Sequence, residues 1–194
     1  VSLRFKEQGA DDTTYTITAP TNAGSYTVQA ISTETDLYLS AIATTNFVIE
    51  KAAAIINIQE VNTEFTYTGA PQSISGATGS GYVDYEDNSF INAGEHTVTV
   101  LVAESDNYLS GSLEVIVTVL RAENVLIALA ENKVQDAWAY SLAYITIEEN
   151  TSDGTLSYRF KLQNEGDEAY TTEWPISLGL YTVEITSAMT QNYK

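Results

Sequence analysis

The sequence predicts an all-β fold assembled from small, repeated, sandwich-like units, and three observations carry that prediction. The 194 residues include 25 Thr, 16 Ser and 13 Tyr, and Thr and Tyr are strand formers. Two gap-free self-alignments expose a repeat. The repeated stretches alternate apolar and polar residues with a period of two, the mark of a half-buried strand.

Sliding Val1–Leu39 by 155 positions lays it on Leu156–Lys194 with 16 of 39 residues identical. The identities include Arg4, Phe5 and Lys6 on Arg159, Phe160 and Lys161, Tyr15 on Tyr170, Pro20 on Pro175, Gly24 on Gly179 and Tyr38 on Tyr193. A slide of 70 positions lays Asn22–Ala52 on Asn92–Ala122 with 11 of 31 identical, among them Gly24 on Gly94, Asp36 on Asp106 and Tyr38 on Tyr108. Self-similarity at fixed offsets is the signature of a tandem array. The expected organisation is a partial unit at 1–52 holding the C-terminal portion of a repeat, a complete unit at 53–122, and a third at 123–194 lacking its last strand. Both outer units read as cut by the window, and the chain does not begin with Met. Flanking sequence or a neighbouring molecule is expected to complete them.

Within a unit the elements follow in order. An apolar strand opens it, at 54–59 and 125–130, and a turn-rich middle follows, with Gly69-Ala70-Pro71 and the glycines from 76 to 81. After the repeated glycine comes the clearest strand: Tyr26, Val28 and Ala30; His96, Val98, Val100 and Val102; Tyr181, Val183 and Ile185 form its apolar face. A short connection, Asp36-Leu37-Tyr38 or Asp106-Asn107-Tyr108, ends in an aromatic expected to cover the open end of the core. The closing strand carries Phe47 and Ile49, or Leu113, Val115, Val117 and Val119. Residues 124–145 have a helix-favouring composition, with Ile127, Val134, Trp138, Leu142 and Ile145 near a helical stripe. The matching part of the second unit reads as two strands around Phe65 and Tyr67, and the copy outweighs local propensity. A β-grasp-like unit with one short helix is the alternative architecture.

Charge and composition exclude several function classes. With 26 acidic and 8 basic residues the chain carries −18 at neutral pH, so it lacks the clustered cations that phosphate backbones and anionic lipid require. There is no Cys and one His, which removes disulfides, thiolate nucleophiles, zinc clusters and iron–sulfur ligation. No stretch approaches the roughly 20 apolar residues of a membrane span.

A proline, then Ala-Gly-Ser-Tyr-Thr-Val at 23–28, then Asp36-Leu37-Tyr38, then Phe47-Val48-Ile49-Glu50-Lys51-Ala52 resembles the MBG-type and related bacterial Ig-like repeats of surface adhesins. The middle unit is similar to a shorter variety, with Phe65-Thr66-Tyr67-Thr68-Gly69-Ala70-Pro71 and Asn92-Ala93-Gly94. The third is similar to a longer one, with Trp138-Ala139-Tyr140 and Tyr170-Thr171-Thr172-Glu173-Trp174-Pro175. His96 and Leu178-Gly179-Leu180 depart from the pattern. The resemblance implies Ig-like β-sandwiches strung end to end, an extracellular place on a bacterial surface, and a structural or adhesive role without catalytic residues.

The chemistry-bearing residues point the same way. A Ser/His/Asp triad has only His96 to use, and Tyr26 and Tyr181 stand at its position in the sister units. Acidic pairs occur at Asp11-Asp12, Glu148-Glu149 and Glu165/Asp167/Glu168, with no sign of the cleft that paired acid/base work needs. Asp84, Glu86, Asp87 and Asn88 form the one candidate set for calcium, a cation that takes oxygen ligands from acidic loops, although no regular calcium loop is present. Gly24, Gly94 and Gly179 read as turn glycines needing positive φ. Tyr38, Tyr108 and Tyr193 read as core-capping aromatics, with sugar stacking as the alternative; Pro20 and Pro175 are repeat positions. No catalytic residue and no cofactor is expected. The expected function is a stalk or spacer of a bacterial surface adhesin, whose partners are neighbouring repeats of its own polypeptide. The alternatives are a module binding host or surface glycan or protein, and a strand-exchanging subunit that self-associates into fibres.

Overall fold

The computed structural model describes residues 1–194. It is all-β, with no α-helix; the only helical pieces are three-residue 3-10 turns at Asp12–Thr14, Leu142–Tyr144 and Asp167–Ala169. The single short helix of the alternative β-grasp-like unit is therefore missing. No helix is long and apolar enough to cross a membrane. The chain forms two compact units. One comprises Val1–Asn62, Ile74–Asn88 and Thr97–Val115, and the other Thr63–Ser73, Ser89–His96 and Ile116–Lys194.

In the first unit β1 (Ser2–Glu7), β2 (Gly24–Ser32) and β3 (Ala41–Ile49) form an antiparallel sheet. The alternation read from sequence sets its register, with Leu3 opposite Ala30, Phe5 opposite Val28, and Tyr26 opposite Phe47. Those positions place Phe5, Tyr26 and Phe47 on one face, where Tyr26 stacks on Phe47 at 5.6 Å and Phe5 meets it edge-on at 6.3 Å. Two short strands, β4 (Ile56–Asn57) and β6 (Thr78–Gly79), pair with each other. β7 (Val83–Glu86) pairs antiparallel with β8 (Gly94–Val102), Val83 opposite Val102 and Tyr85 opposite Val100. The core of this unit is Ile74, Val98, Val100, Val102 and Val115, all nearly inaccessible. Burying a valine side chain contributes on the order of 2 kcal/mol, which is why the Thr/Val alternation decides which face turns inward.

In the second unit β5 (Glu64–Thr66) runs parallel to the end of β9 (Gly111–Leu120), with Phe65 opposite Val119. β10 (Leu126–Ala130) pairs antiparallel with β11 (Ile145–Asn150), with a register shift between Ile127 and Ala128. β12 (Leu156–Leu162) pairs antiparallel with β13 (Tyr181–Ser187). Its buried apolar residues are Phe90, Val117, Val119 and Phe160. Trp174 is the hub of an aromatic cluster, 4.7 Å from Phe160, 5.7 Å from Tyr158 and 6.5 Å from Tyr140.

Within 124–145 no α-helix forms, but only one strand does, Leu126–Ala130: residues 131–141 carry none, and the sister copy, read as two strands around Phe65 and Tyr67, has the single strand Glu64–Thr66. Leu126–Ala130 is a strand because Ile145 and Ile147 lie opposite Ala130 and Ala128; pairing and packing override a helix preference worth only tenths of a kcal/mol per residue.

The two stretches aligned at an offset of 155 also share geometry. Ser2 faces Ile31 as Ser157 faces Thr186, and Phe5 bridges Thr16 as Phe160 bridges Thr171. Arg4 lies 4.4 Å and Lys6 5.1 Å from the Tyr15 ring; Arg159 and Lys161 lie 4.5 Å and 5.0 Å from that of Tyr170. Lys6 reaches Asp12, and Lys161 reaches Asp167, each at 2.7 Å.

Candidate functional site: an asparagine clasp between repeats

Two junctions, one inside each compact unit, are built from the same parts. In the first, the closing strand β3 runs out through Lys51 into Ala52, which lies alongside the Asp106-Asn107-Tyr108 connection of the following repeat. The Ala52 N–H donates to the Asn107 carbonyl at 2.9 Å, and the Leu109 N–H donates to the Ala52 carbonyl at 2.8 Å, closing a one-residue parallel bridge. The Asn107 side chain reaches back to the loop before β2. Its Oδ1 accepts the Ala23 N–H at 2.8 Å, and its Nδ2 donates to Asn22 Oδ1 at 3.1 Å.

In the second unit Asn192 repeats every step. The Ala122 N–H donates to the Asn192 carbonyl and the Lys194 N–H to the Ala122 carbonyl, both at 2.9 Å. Asn192 Oδ1 accepts the Ala93 N–H at 2.8 Å, and Nδ2 donates to Asn92 Oδ1 at 3.1 Å. An amide suits this place because it offers an acceptor and a donor at once. Both asparagines are half-buried, where an unpaired amide would be costly.

A cation reinforces each clasp. Lys51 Nζ bonds Glu104 at 2.5 Å and the Ser105 carbonyl at 2.8 Å, while Arg121 Nε donates to the Gln191 carbonyl at 3.2 Å. The receiving loop is closed on itself, with the Ser105 N–H on the Tyr108 carbonyl at 3.0 Å and the Thr190 N–H on the Tyr193 carbonyl at 3.2 Å.

The structure revises the role expected of the connecting aromatics. Tyr193 packs edge-on against Tyr67 at 5.4 Å and Tyr108 sits half-buried in the first clasp, so both serve the junction. Tyr38 is 76% exposed and caps nothing, because no strand end lies beside it. The positive φ expected of the repeated glycines is found at Gly24 and Gly94, 156° and 137° at the first residues of their strands, conformations that side chains avoid; Gly179 departs from it and has no positive φ. A Cβ at Gly179 would come within 2.9 Å of Leu162 Cδ2, the end of a partly exposed side chain that can move aside. Pro20 and Pro175 precede these glycines in their loops, and the Pro175 carbonyl accepts the Tyr140 N–H at 2.7 Å.

His96 holds a packing position. Its ring stacks on Phe90 at 5.4 Å, and Nε2 meets the Asn92 carbonyl at 2.7 Å, which makes Nε2 the protonated nitrogen. Tyr26 does the same with its hydroxyl, donating to the Asn22 carbonyl at 3.0 Å. Among the calcium candidates, Asp84 and Glu86 share the exposed face of β7, and Asp87 has a left-handed φ of 56°. Asn88 is spent on Ile74, accepting its N–H at 2.7 Å and donating to its carbonyl at 2.8 Å. No group of three or more His, Asp or Glu side chains is placed to hold a metal. Asn150 is tied into a network: its Oδ1 accepts from Asn124, Ser152 and Ser187, and its Nδ2 donates to the Gly154 carbonyl.

Ion pairs set the electrostatics. The Lys161 ammonium bonded to Asp167 holds that carboxyl below its ordinary range, and Arg159 does the same to Glu184. The Thr13 backbone and hydroxyl lower Asp11, and Lys133 lowers Asp136. These groups are open to solvent, where such pairs contribute little.

No protein-family model matches the chain, and neither the curated proteins nor the solved structures gave a match. Sequence reasoning missed the clasp asparagines. The available signal was indirect: Asn22/Asn92 and Ala52/Ala122 are identical pairs, and a basic residue precedes each alanine.

Proposed function

We propose that this chain is a spacer region of a bacterial surface adhesin, an extracellular array of small Ig-like sandwich units of MBG type whose work is to hold a fixed separation. The recurrence of one clasp at Asn107 and Asn192, with distances matching within about 0.1 Å, is the observation that carries this reading. A spacer needs its joints stiff and alike, and a clasp of two backbone bonds plus a bidentate amide restrains bending more than a bare linker does. The acidic surface suits it too, since like charge keeps neighbouring stalks apart. The test is 15N relaxation of the 194-residue chain. Residues 24–49 and 97–112 should tumble with one correlation time, and Asn107→Ala should let them diverge; independent tumbling in the unaltered chain would end the spacer reading.

A binding role is the second reading, supported by one feature. Trp138, 77% exposed, stands at a cavity of about 440 Å³ lined also by Tyr140, Phe160, Leu178 and Tyr181. Retention on a glycan or matrix-protein array, lost on Trp138→Ala, would favour this reading over the spacer.

A further inference from the structure

We propose that Glu34–Leu39 is a third clasp receptor, and that it takes the extended end of another repeat of this kind, a Lys-Ala or Arg-Ala strand terminus. The inference rests on the spacer reading and adds the docking surface and its occupant. It starts from the offset of 70, which places Glu34, Thr35, Leu37, Tyr38 and Leu39 on Glu104, Ser105, Asn107, Tyr108 and Leu109. The loop is already in the receiving conformation. The Thr35 N–H donates to the Tyr38 carbonyl at 2.9 Å, as Ser105 does to Tyr108 and Thr190 to Tyr193. The two groups that grip alanine elsewhere are the Asn107 carbonyl and the Leu109 N–H. Their counterparts, the Leu37 carbonyl and the Leu39 N–H, have no partner in the chain, and Leu37 and Leu39 are 84% and 81% exposed.

Two further features select the occupant. Glu34 stands where Glu104 holds Lys51, exposed and without an ion pair, so a cation one residue before the docking alanine matches it. Leu37 replaces the clasp asparagine, so the bond to the facing loop becomes an apolar contact with its alanine, the residue present as Ala23 and Ala93 in the other two loops. Extended chain that bonds an unpaired backbone edge is a recurring mode of docking. Here the receptor admits only a short segment, because a single residue is bridged in each existing clasp.

The offset of 155 makes a native-like test available. A chain in which residues 53–155 are placed directly before Val1 continues the repeat in register and presents Arg121-Ala122 to Glu34–Leu39 at high effective concentration. Amide hydrogen exchange is the readout. The Leu39 amide should slow by roughly 100-fold relative to the 194-residue chain, the protection expected of a bond that opens only locally. Ala122→Pro in the added segment, which removes the donor N–H, should reverse it. An unprotected Leu39 in a longer chain whose added Val98 and Val117 are protected overturns the proposal. If those valines are unprotected, the 194-residue chain is titrated with a peptide of residues 46–54, which ends its strand in Lys51-Ala52; no Leu39 shift at millimolar peptide then overturns it. Failure of the spacer reading itself looks different, because the Leu109 and Lys194 amides would then exchange freely in the 194-residue chain.

Discussion

Replacing Asn107 by Ala removes one amide from one clasp and leaves its twin at Asn192 as an internal control. Two bonds go: the Ala23 N–H to Oδ1 at 2.8 Å and Nδ2 to Asn22 Oδ1 at 3.1 Å. A hydrogen bond contributes about 1 kcal/mol net, and a partly buried donor such as the Ala23 N–H costs more when stranded, so the clasp should weaken by about 2 kcal/mol. The backbone bonds of Ala52 do not depend on the side chain, so the junction opens more often without unfolding. At 1.4 kcal/mol per tenfold change, the Leu109 amide should exchange about 30-fold faster, read by hydrogen exchange under native conditions. Asn107→Asp keeps the acceptor for Ala23 but offers Asn22 no donor, and should fall between Ala and the unaltered chain. The Lys194 amide, in the other clasp, should not change. An acceleration below threefold at Leu109, or an equal one at Lys194, would refute the assignment of the clasp to this side chain.

Four other outcomes follow from the packing and charge described above. Val100→Ala, in the inaccessible core, should lower stability by about 2 kcal/mol in urea unfolding, whereas the exposed Leu37→Ser should stay within about 0.5 kcal/mol. Ala137→Gly relieves a left-handed φ of 66° and should raise stability by about 1 kcal/mol, measured the same way. Because Asp11, Asp136, Asp167 and Glu184 have lowered pKa values in the folded chain, their contribution is present above the ordinary carboxylate range. It disappears as pH falls through the lowered values. The melting temperature should therefore drop on acidification below about pH 4, and Asp167→Asn should shallow that drop. Millimolar calcium should leave the melting midpoint unchanged, since Asn88 is committed to Ile74 and no three acidic groups converge; a rise would place a cation at Asp84, Glu86 and Asp87.

Much of the fold was legible because it depends on short-range pattern. The strand after each repeated glycine has its inward face written in alternating Val and Thr, and β2 and β8 occupy positions 24–32 and 94–102, offset by 70. Residues 126–130 form a strand despite their helix-favouring composition, and only comparison with the sister copy pointed there. What could not be read was what one repeat does to the next. Tyr38 looked like a core cap because its sequence neighbours match those of Tyr108, yet its surroundings depend on whether a strand end lies beside it. The clasp asparagines were invisible for a related reason. Position 37 is Leu where 107 and 192 are Asn, so a search for identities passed over the residue whose two-sided hydrogen bonding joins the repeats. At His96, the one imidazole a triad would have needed, the tyrosines in its sister copies pointed away from catalysis and to packing, and its ring stacks on Phe90.

Whether a common joint links successive copies is tested most directly by couplings transmitted through the hydrogen bonds themselves. A long-range HNCO spectrum of the 194-residue chain should contain two matching cross-peaks, from the Ala52 amide nitrogen to the Asn107 carbonyl carbon and from that of Ala122 to Asn192. Loss of both, or of one alone with the backbone fully assigned, would contradict the claim that the repeats are held by the same device.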